Sequence, residues 1–201
     1  MNHKSAEKSQ FRQVSWTARD MAVCGLFAAL IAVGAFIKIT IPEQPSPMTF
    51  SLQWFFVLLA GFLLGRRLAT ASVGVYLLIG LIGVPVFAHG GGISYVLRPG
   101  FGYLLGFLLA AFLVGFLTDL TKPVRFWQML PISVVGLFAY YGIGLIYYYL
   151  INVYWLKTPE FGWILAFTNG FLITVVEDFV LCILAVLVCV QFRPIVRREL
   201  E

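Results

Sequence analysis

Residues 162–192 read GWILAFTNGFLITVVEDFVLCILAVLVCVQF, an apolar run interrupted near its middle by two adjacent acids, Glu177 and Asp178. About 20 mostly apolar residues suffice to cross a membrane. As one straight helix this run would measure about 46 Å, well beyond a hydrocarbon core of about 30 Å. A break near Asn169-Gly170 is therefore expected, with Gly162–Thr168 as a short interfacial or re-entrant piece and Gly170–Phe192 as the span. An ionised carboxylate at the centre of such a helix costs roughly 3 kcal/mol on insertion scales, so it is usually held there by a partner and a function. Asp178 is thereby marked as a ligand or ion site. The alternatives are a carboxylate reaching to the interface, or one held protonated in a helix packing contact, and they apply equally to Glu177.

The rest of the chain is of the same kind. Its 201 residues are 61% hydrophobic and 11% charged, with a mean hydropathy of +0.93. This composition belongs to an integral membrane protein. Five further apolar runs precede the last: Met21–Ile41, Leu52–Leu64, Leu68–Ala88, Phe101–Leu117 and Phe126–Ile151. The second is short, reaching the lower limit of a span only if it starts at Phe50 and ends at Arg66. The expected fold is all-α, a single six-transmembrane-helix bundle over residues 20–192, with an N-terminal tail at 1–19 and a basic C-terminal tail at 193–201.

Charge placement orients the bundle. Lys4, Lys8, Arg12, Arg19, Arg66, Arg67, Lys122, Arg125, Arg193, Arg197 and Arg198, eleven of the fourteen cations, fall on one side of this topology. Lys38, Arg98 and Lys157 fall on the other. By the positive-inside rule both termini are cytoplasmic, and the connections between spans 1–2, 3–4 and 5–6 face outward. The net charge of +5 reflects this bias. It leaves no contiguous basic patch of the kind that binds nucleic acid, so no nucleic-acid partner is expected. No apolar core precedes residue 21, and a removable signal peptide is not expected. Cys24, Cys182 and Cys189 lie inside apolar runs without metal-ligand spacing and read as small hydrophobes; no metal site is expected. No internal repeat argues for an inverted-repeat transporter.

Two outward connections are unusual. Residues 42–53 carry Pro42, Pro45 and Pro47 and end in the polar Gln53, so the segment cannot be helical throughout. Residues 85–103 combine the triplet Gly90-Gly91-Gly92 with aromatic and apolar side chains where a solvated loop would be polar. Glycine permits tight turns and close approach to a ligand, while Phe87, Tyr95, Phe101 and Tyr103 could wall a pocket. The alternative is an interfacial loop with an aromatic belt. His89 reads as a loop residue, with no neighbour that would make it metal-binding or catalytic.

These residues carry a resemblance. Thr49-Phe50-Ser51-Leu52-Gln53 followed by Phe56-Val57-Leu58-Leu59-Ala60-Gly61-Phe62-Leu63-Leu64-Gly65 resembles the P-x-T-L-Q…F-V-L-L-A-G-x-L-L-G signature of the BioY family, the biotin-specific substrate-capture (S) components of energy-coupling factor (ECF) transporters. Residues 69–73, 76–88 and 102–107 agree with it, as does Asp178, so the match covers about residues 20–192. The resemblance implies a multi-pass protein of the bacterial plasma membrane that binds biotin as transported substrate, needs no cofactor, and works with a transmembrane coupling subunit and two ATPase subunits. Two positions depart from the family pattern. The last helix has Leu181 and Cys182 where a lysine often follows the aspartate by one turn, and Gly100 stands where threonine is usual. Arg98 is the nearest cation able to take the place of that lysine.

Biotin carries a ureido ring with two N–H donors and one strong acceptor, an apolar thioether ring and a valerate carboxylate. Asp178 accepting ureido N–H bonds, Arg98 at the carboxylate, Gln53 or Asn152 adding amide groups, and Phe87, Tyr95 and Tyr103 around the ring would meet that chemistry. Asn152 could equally cap a helix end. On helix 1, Ala18, Ala22, Gly25, Ala29 and Ala32 recur at steps of four and three, a pattern that lets helices pack closely in lipid. Packing inside the bundle is one reading. The resemblance implies the other, an alanine stripe that docks on the coupling subunit, to which Ala28 with Ala32 and Ala18 with Ala22 correspond. The chain has no G-x-x-x-x-G-K-[ST] phosphate cradle, so any ATPase is a separate subunit. An S component for another vitamin, and an intramembrane enzyme using Glu177 and Asp178 as acid and base, are the competing functions.

Overall fold

The computed structural model describes residues 16–41, 48–123 and 125–200. Most of the N-terminal tail and residues 42–47, with their three prolines, lie outside the described residues. Helix α1 (Ala18–Phe36) opens on a capping box: the Thr17 hydroxyl accepts the Asp20 amide at 3.1 Å, and Asp20 returns the bond to the Thr17 amide at 3.0 Å. Two orphan amides are thus satisfied before the apolar run begins. The helix ends at Phe36 and not at Ile41. Lys38–Ile41 (β1), with three consecutive β-branched residues, pairs antiparallel with Met48–Ser51 (β2), in the register Lys38↔Ser51 to Ile41↔Met48. The expected all-α bundle therefore carries a small two-stranded antiparallel sheet, which β-branched residues favour.

Among the described residues, five segments are long and apolar enough to cross a membrane: Ala18–Phe36, Gln53–Ile82, Phe101–Thr121, Phe126–Trp155 and Trp163–Phe192. The second of these, α2 (Gln53–Ile82), is two helical arms. Gly65 sits at φ 75°, ψ 177°, outside the helical region and open chiefly to glycine. The Gln53 side-chain amide donates to the Tyr76 hydroxyl at 2.7 Å across 23 residues, which a straight helix would hold about 35 Å apart. The chain must reverse at Gly65, and the arms 53–64 and 66–82 lie side by side. Asp119 at the end of α3 (Phe101–Thr121) accepts the Arg66 amide at 3.0 Å, placing a carboxylate on the first free N–H of the second arm.

Helix α3 packs on both arms and on α4 (Phe126–Leu150) through glycines. A Cβ at Gly106 would lie 2.5 Å from the Tyr140 carbonyl oxygen and 2.9 Å from its Cα, so two backbones meet here. Overpacking costs typically about 1–3 kcal/mol, and the clash is with backbone that cannot swing away; the gain of up to about 1 kcal/mol in helix propensity offsets only part of it. Gly106→Ala is expected to lower the thermal midpoint of the purified protein in detergent, and an unchanged or higher midpoint would show that the helices separate freely.

The last expected span is interrupted at the expected place, Asn169-Gly170, but by a π-helical turn and not by a separation into two pieces. After the short α5 (Trp163–Phe167), residues 168–172 wind as a π-helical turn into α6 (Val175–Leu200), and a second π turn, Ile151–Trp155, ends α4. Helix α6 also continues past Phe192 to Leu200, running through Pro194.

Helix α1 buries Cys24, Ala28, Ile31, Gly34 and Ala35 against α2 and leaves Ala18, Ala22, Gly25 and Ala29 exposed, with Ala32 half-buried. Ala28, expected on the docking stripe, is 4% exposed and belongs to the core. The correction follows from helical phase: Ala28 lies on the face of Cys24 and Ile31, whereas Ala22, Gly25 and Ala29 share the opposite one.

Two connections and the end of α4 meet at one end of the molecule. The Lys38 ammonium donates to the Ala88 carbonyl, Thr49 Oγ1 lies 3.4 Å from His89 Nε2, and the Tyr147 hydroxyl donates to the Val96 carbonyl. Arg66 and Arg67 sit at the opposite end, at the turn of α2.

Candidate ligand-binding cavity

A cavity of about 220 Å³ opens beneath these connections, bounded by the start of α2, the residue 88–100 loop, α3, α4 and α6. This is slightly below the usual range for drug-sized ligands and suits one small organic molecule. Of the seven residues expected to bind ligand, Gln53, Tyr95, Arg98, Tyr103 and Asp178 line it.

Asp178 is 5% exposed and lies on the α6 wall. Two phenols from consecutive residues of α4 donate to its Oδ2, Tyr140 at 2.9 Å and Tyr141 at 2.5 Å. No described residue donates to Oδ1. A buried carboxylate is stabilised by such charge-assisted bonds, and its remaining oxygen is an acceptor offered to a ligand. Glu177 also lines the cavity and is half-buried.

Arg98 stands at the exposed mouth with its Cζ 5.3 Å from the centre of the Tyr95 ring, and it makes no ion pair with any described residue. Stacking on an aromatic face leaves a guanidinium's hydrogen-bonding edge available. Lys38 is engaged by the Ala88 carbonyl, and neither it nor the exposed Lys157 is among the cavity-lining residues. Positive charge at the mouth and carboxylate in the wall give the cavity two electrically distinct ends. His89 reaches the lining as well; burial first, then the charges of Lys38 and Arg98, push its pKa below the usual imidazole range, so it is neutral at neutral pH.

Gln53 is held by its bond to Tyr76, whose hydroxyl in turn donates to the Val86 carbonyl at 3.3 Å. Tyr103 donates to the Gly170 carbonyl at 2.8 Å, and its ring occupies the space a Cβ at Gly144 would need, 2.2 Å away. The π turn at 168–172 presents Gly170, Thr174 and Asp178 together along the cavity wall.

Two expected ligand contacts are elsewhere. Phe87 is fully buried beneath the lining: its ring sits over Gly80, edge-on to Tyr76 at 5.4 Å and tilted on Tyr95 at 4.6 Å. It supports Tyr95 and does not touch the cavity. Asn152 is also fully buried, donating to the Tyr148 carbonyl at 2.8 Å and accepting from Thr158 at 3.4 Å, so it closes the end of α4, the capping alternative. Both misplacements have one cause: composition marks a residue as pocket-like without saying on which side of the loop or helix it falls.

Sequence reasoning missed the aromatic floor. Trp54 and Tyr140 stack at 5.0 Å, and Phe107 and Tyr140 at 4.9 Å, making a near-parallel set of rings beside Asp178. The Trp54 indole N–H donates to Cys182 Sγ at 3.3 Å, so the thiol supports the floor. The available signal was the pair Tyr140-Tyr141 within an apolar helix, since a phenol buried there needs a partner.

Comparison with known proteins bears on this cavity. A family model described as the BioY family matches residues 4–198. The chain is 41% identical over 178 residues to the probable biotin transporter BioY of Lysinibacillus sphaericus, covering 89% of this chain and 88% of that one. It is 41% identical over 127 residues to the biotin transporter BioY of Thermotoga maritima, covering 63% and 72%. Its fold is similar to the crystal structure of the S-component for biotin from an ECF-type ABC transporter, with a TM-score of 0.75, 25% identity, and coverage of 90% of this chain and 95% of that one.

Proposed function

The chain belongs to the BioY family, and on that footing we propose that it captures biotin in the cavity between Asp178 and Arg98 for uptake into the cell. The observation that carries the assignment of the site is Asp178 itself, a buried carboxylate with one oxygen held by two phenols and the other open to a donor. Its open oxygen accepts a ureido N–H, the stacked rings of Trp54, Phe107 and Tyr140 cover the apolar bicycle, and Arg98 receives the valerate carboxylate. Biotin is the substrate and no cofactor is involved. The family is one of transporters, so Glu177 and Asp178 are not an enzyme's acid–base pair.

The two arms of α2 count as separate crossings in this reading, making six, with both termini cytoplasmic and the cavity facing outward in the bacterial plasma membrane. The gathering of Arg66 and Arg67 at the far end supports that orientation. A transmembrane coupling subunit, docked on the exposed face of α1, and two ATPase subunits supply the energy. The competing reading is an S component for another vitamin. Equilibrium binding of labelled biotin to the purified protein separates the two: saturable binding that other vitamins fail to displace supports biotin, and its absence sinks the assignment.

Arg98 can be tested within the same assay. Arg98→Ala is expected to weaken biotin roughly ten- to a hundredfold, the range for a hydrogen bond to a charged group, and biotin amide much less, because only the acid loses a charged partner. Equal losses for both ligands would take the carboxylate contact away from Arg98.

A further inference from the structure

Tyr141 makes two bonds that form one chain: its hydroxyl lies 2.5 Å from Asp178 Oδ2 and 2.7 Å from Thr174 Oγ1. Unlike Tyr140, it is not among the residues lining the cavity, and it is 1% exposed. Its ring is fixed on two sides, edge-on to Phe171 at 4.9 Å and tilted on Tyr140 at 4.4 Å. Residues 171, 174 and 178 all belong to the segment running from the π turn into α6, so one phenol from α4 fixes both the carboxylate and the turn preceding it.

We infer that Tyr141 is a positioning residue for substrate capture, one that pins Asp178 Oδ2 so that Oδ1 alone is turned to the ligand as an acceptor. The inference rests on the biotin reading above. An aspartate has freedom about its terminal torsion, and a carboxylate whose two oxygens can exchange places offers no fixed direction. Two donors converging on one oxygen remove that freedom: Tyr140 does so from inside the cavity, where ligand can also displace it, and Tyr141 from behind, where ligand cannot reach. A carboxylate fixed in this way discriminates by direction, accepting a ring N–H that meets Oδ1 and rejecting a ring that offers a methyl or an acceptor at the same place.

The test is the affinity of the whole protein, in detergent or nanodiscs, for biotin and for biotin methylated on a ureido nitrogen. Tyr141→Phe keeps the ring and removes only the hydroxyl. It is expected to weaken biotin about tenfold while changing the methylated analogue little, so the preference for biotin narrows. If Tyr141 served only helix packing, both ligands would lose equally and the preference would stand, which overturns the inference; so would unchanged affinity for both. Combining Tyr141→Phe with Asp178→Asn gives a second readout, because a residue acting through Asp178 adds little once the carboxylate is gone, and additive losses overturn the role. Should Tyr141→Phe fail to insert, Thr174→Val breaks the same chain from its other end and must show the same narrowing, in smaller degree. Failure of the unmutated protein to bind biotin would overturn the reading of the site and this inference with it.

Discussion

Asp178→Asn is expected to weaken biotin binding by at least about tenfold while leaving the protein inserted and folded. The amide keeps the size of the carboxylate but replaces one acceptor with a donor. If its oxygen stays with Tyr140 and Tyr141, its NH2 faces the ureido N–H, donor against donor; if it flips, two phenols lose their acceptor. Either arrangement strands a buried polar group, and removal of the charge eases insertion at the same time. Loss of binding with a retained monodisperse protein is therefore the diagnostic result. Unchanged affinity would mean that the carboxylate serves helix packing, which was the alternative from the start.

Ala22→Trp with Ala29→Trp is expected to abolish uptake that depends on a coupling subunit and to spare biotin binding by the isolated protein. Both alanines are exposed on α1, and Gly25 between them has nothing near its Cβ position. Indoles here would hold a partner helix away, where close packing is the main attraction between helices in lipid. The same change at Ala28 has a different expected effect, because that side chain is packed inside the bundle and an indole would break the fold. Binding assays on purified protein beside uptake in cells check both. Normal uptake by the Ala22/Ala29 variant would remove the docking role from this face.

Much of this was legible beforehand for physical reasons particular to membranes. Apolar runs must be helical where no water can satisfy the backbone, so the spans could be read from composition, including the division of α2 at Leu64–Leu68 that Gly65 produces. Asp178 stood out because charge is expensive there, and Arg98 as the nearest cation able to take the place of the lysine that the resemblance leads one to expect. Asn169-Gly170 marked the place of an irregularity, but periodicity could not show that it takes the form of a π turn at 168–172. Nor could it separate Ala28 from Ala29, or reveal that Phe87 plugs Gly80: on a helix facing lipid both faces are apolar, and the usual contrast between buried and exposed composition is lost. Trp54, Phe107 and Tyr140 were hidden likewise among aromatic residues that could have faced lipid.

The reversal at Gly65 also fixes how well the protein insulates the membrane. The arm 53–64 starts at the cavity floor and ends at the Arg66 face, a distance of about 18 Å. Val57, Leu58, Ala60 and Phe62 along it are at most 1% exposed, and Val114, Met129 and Val186 close the same layer from the neighbouring helices. A close-packed apolar layer thus stands between the cavity floor and the Arg66 turn. An apolar layer packed in this way is a barrier to ions and protons, which would have to shed their hydration to cross it.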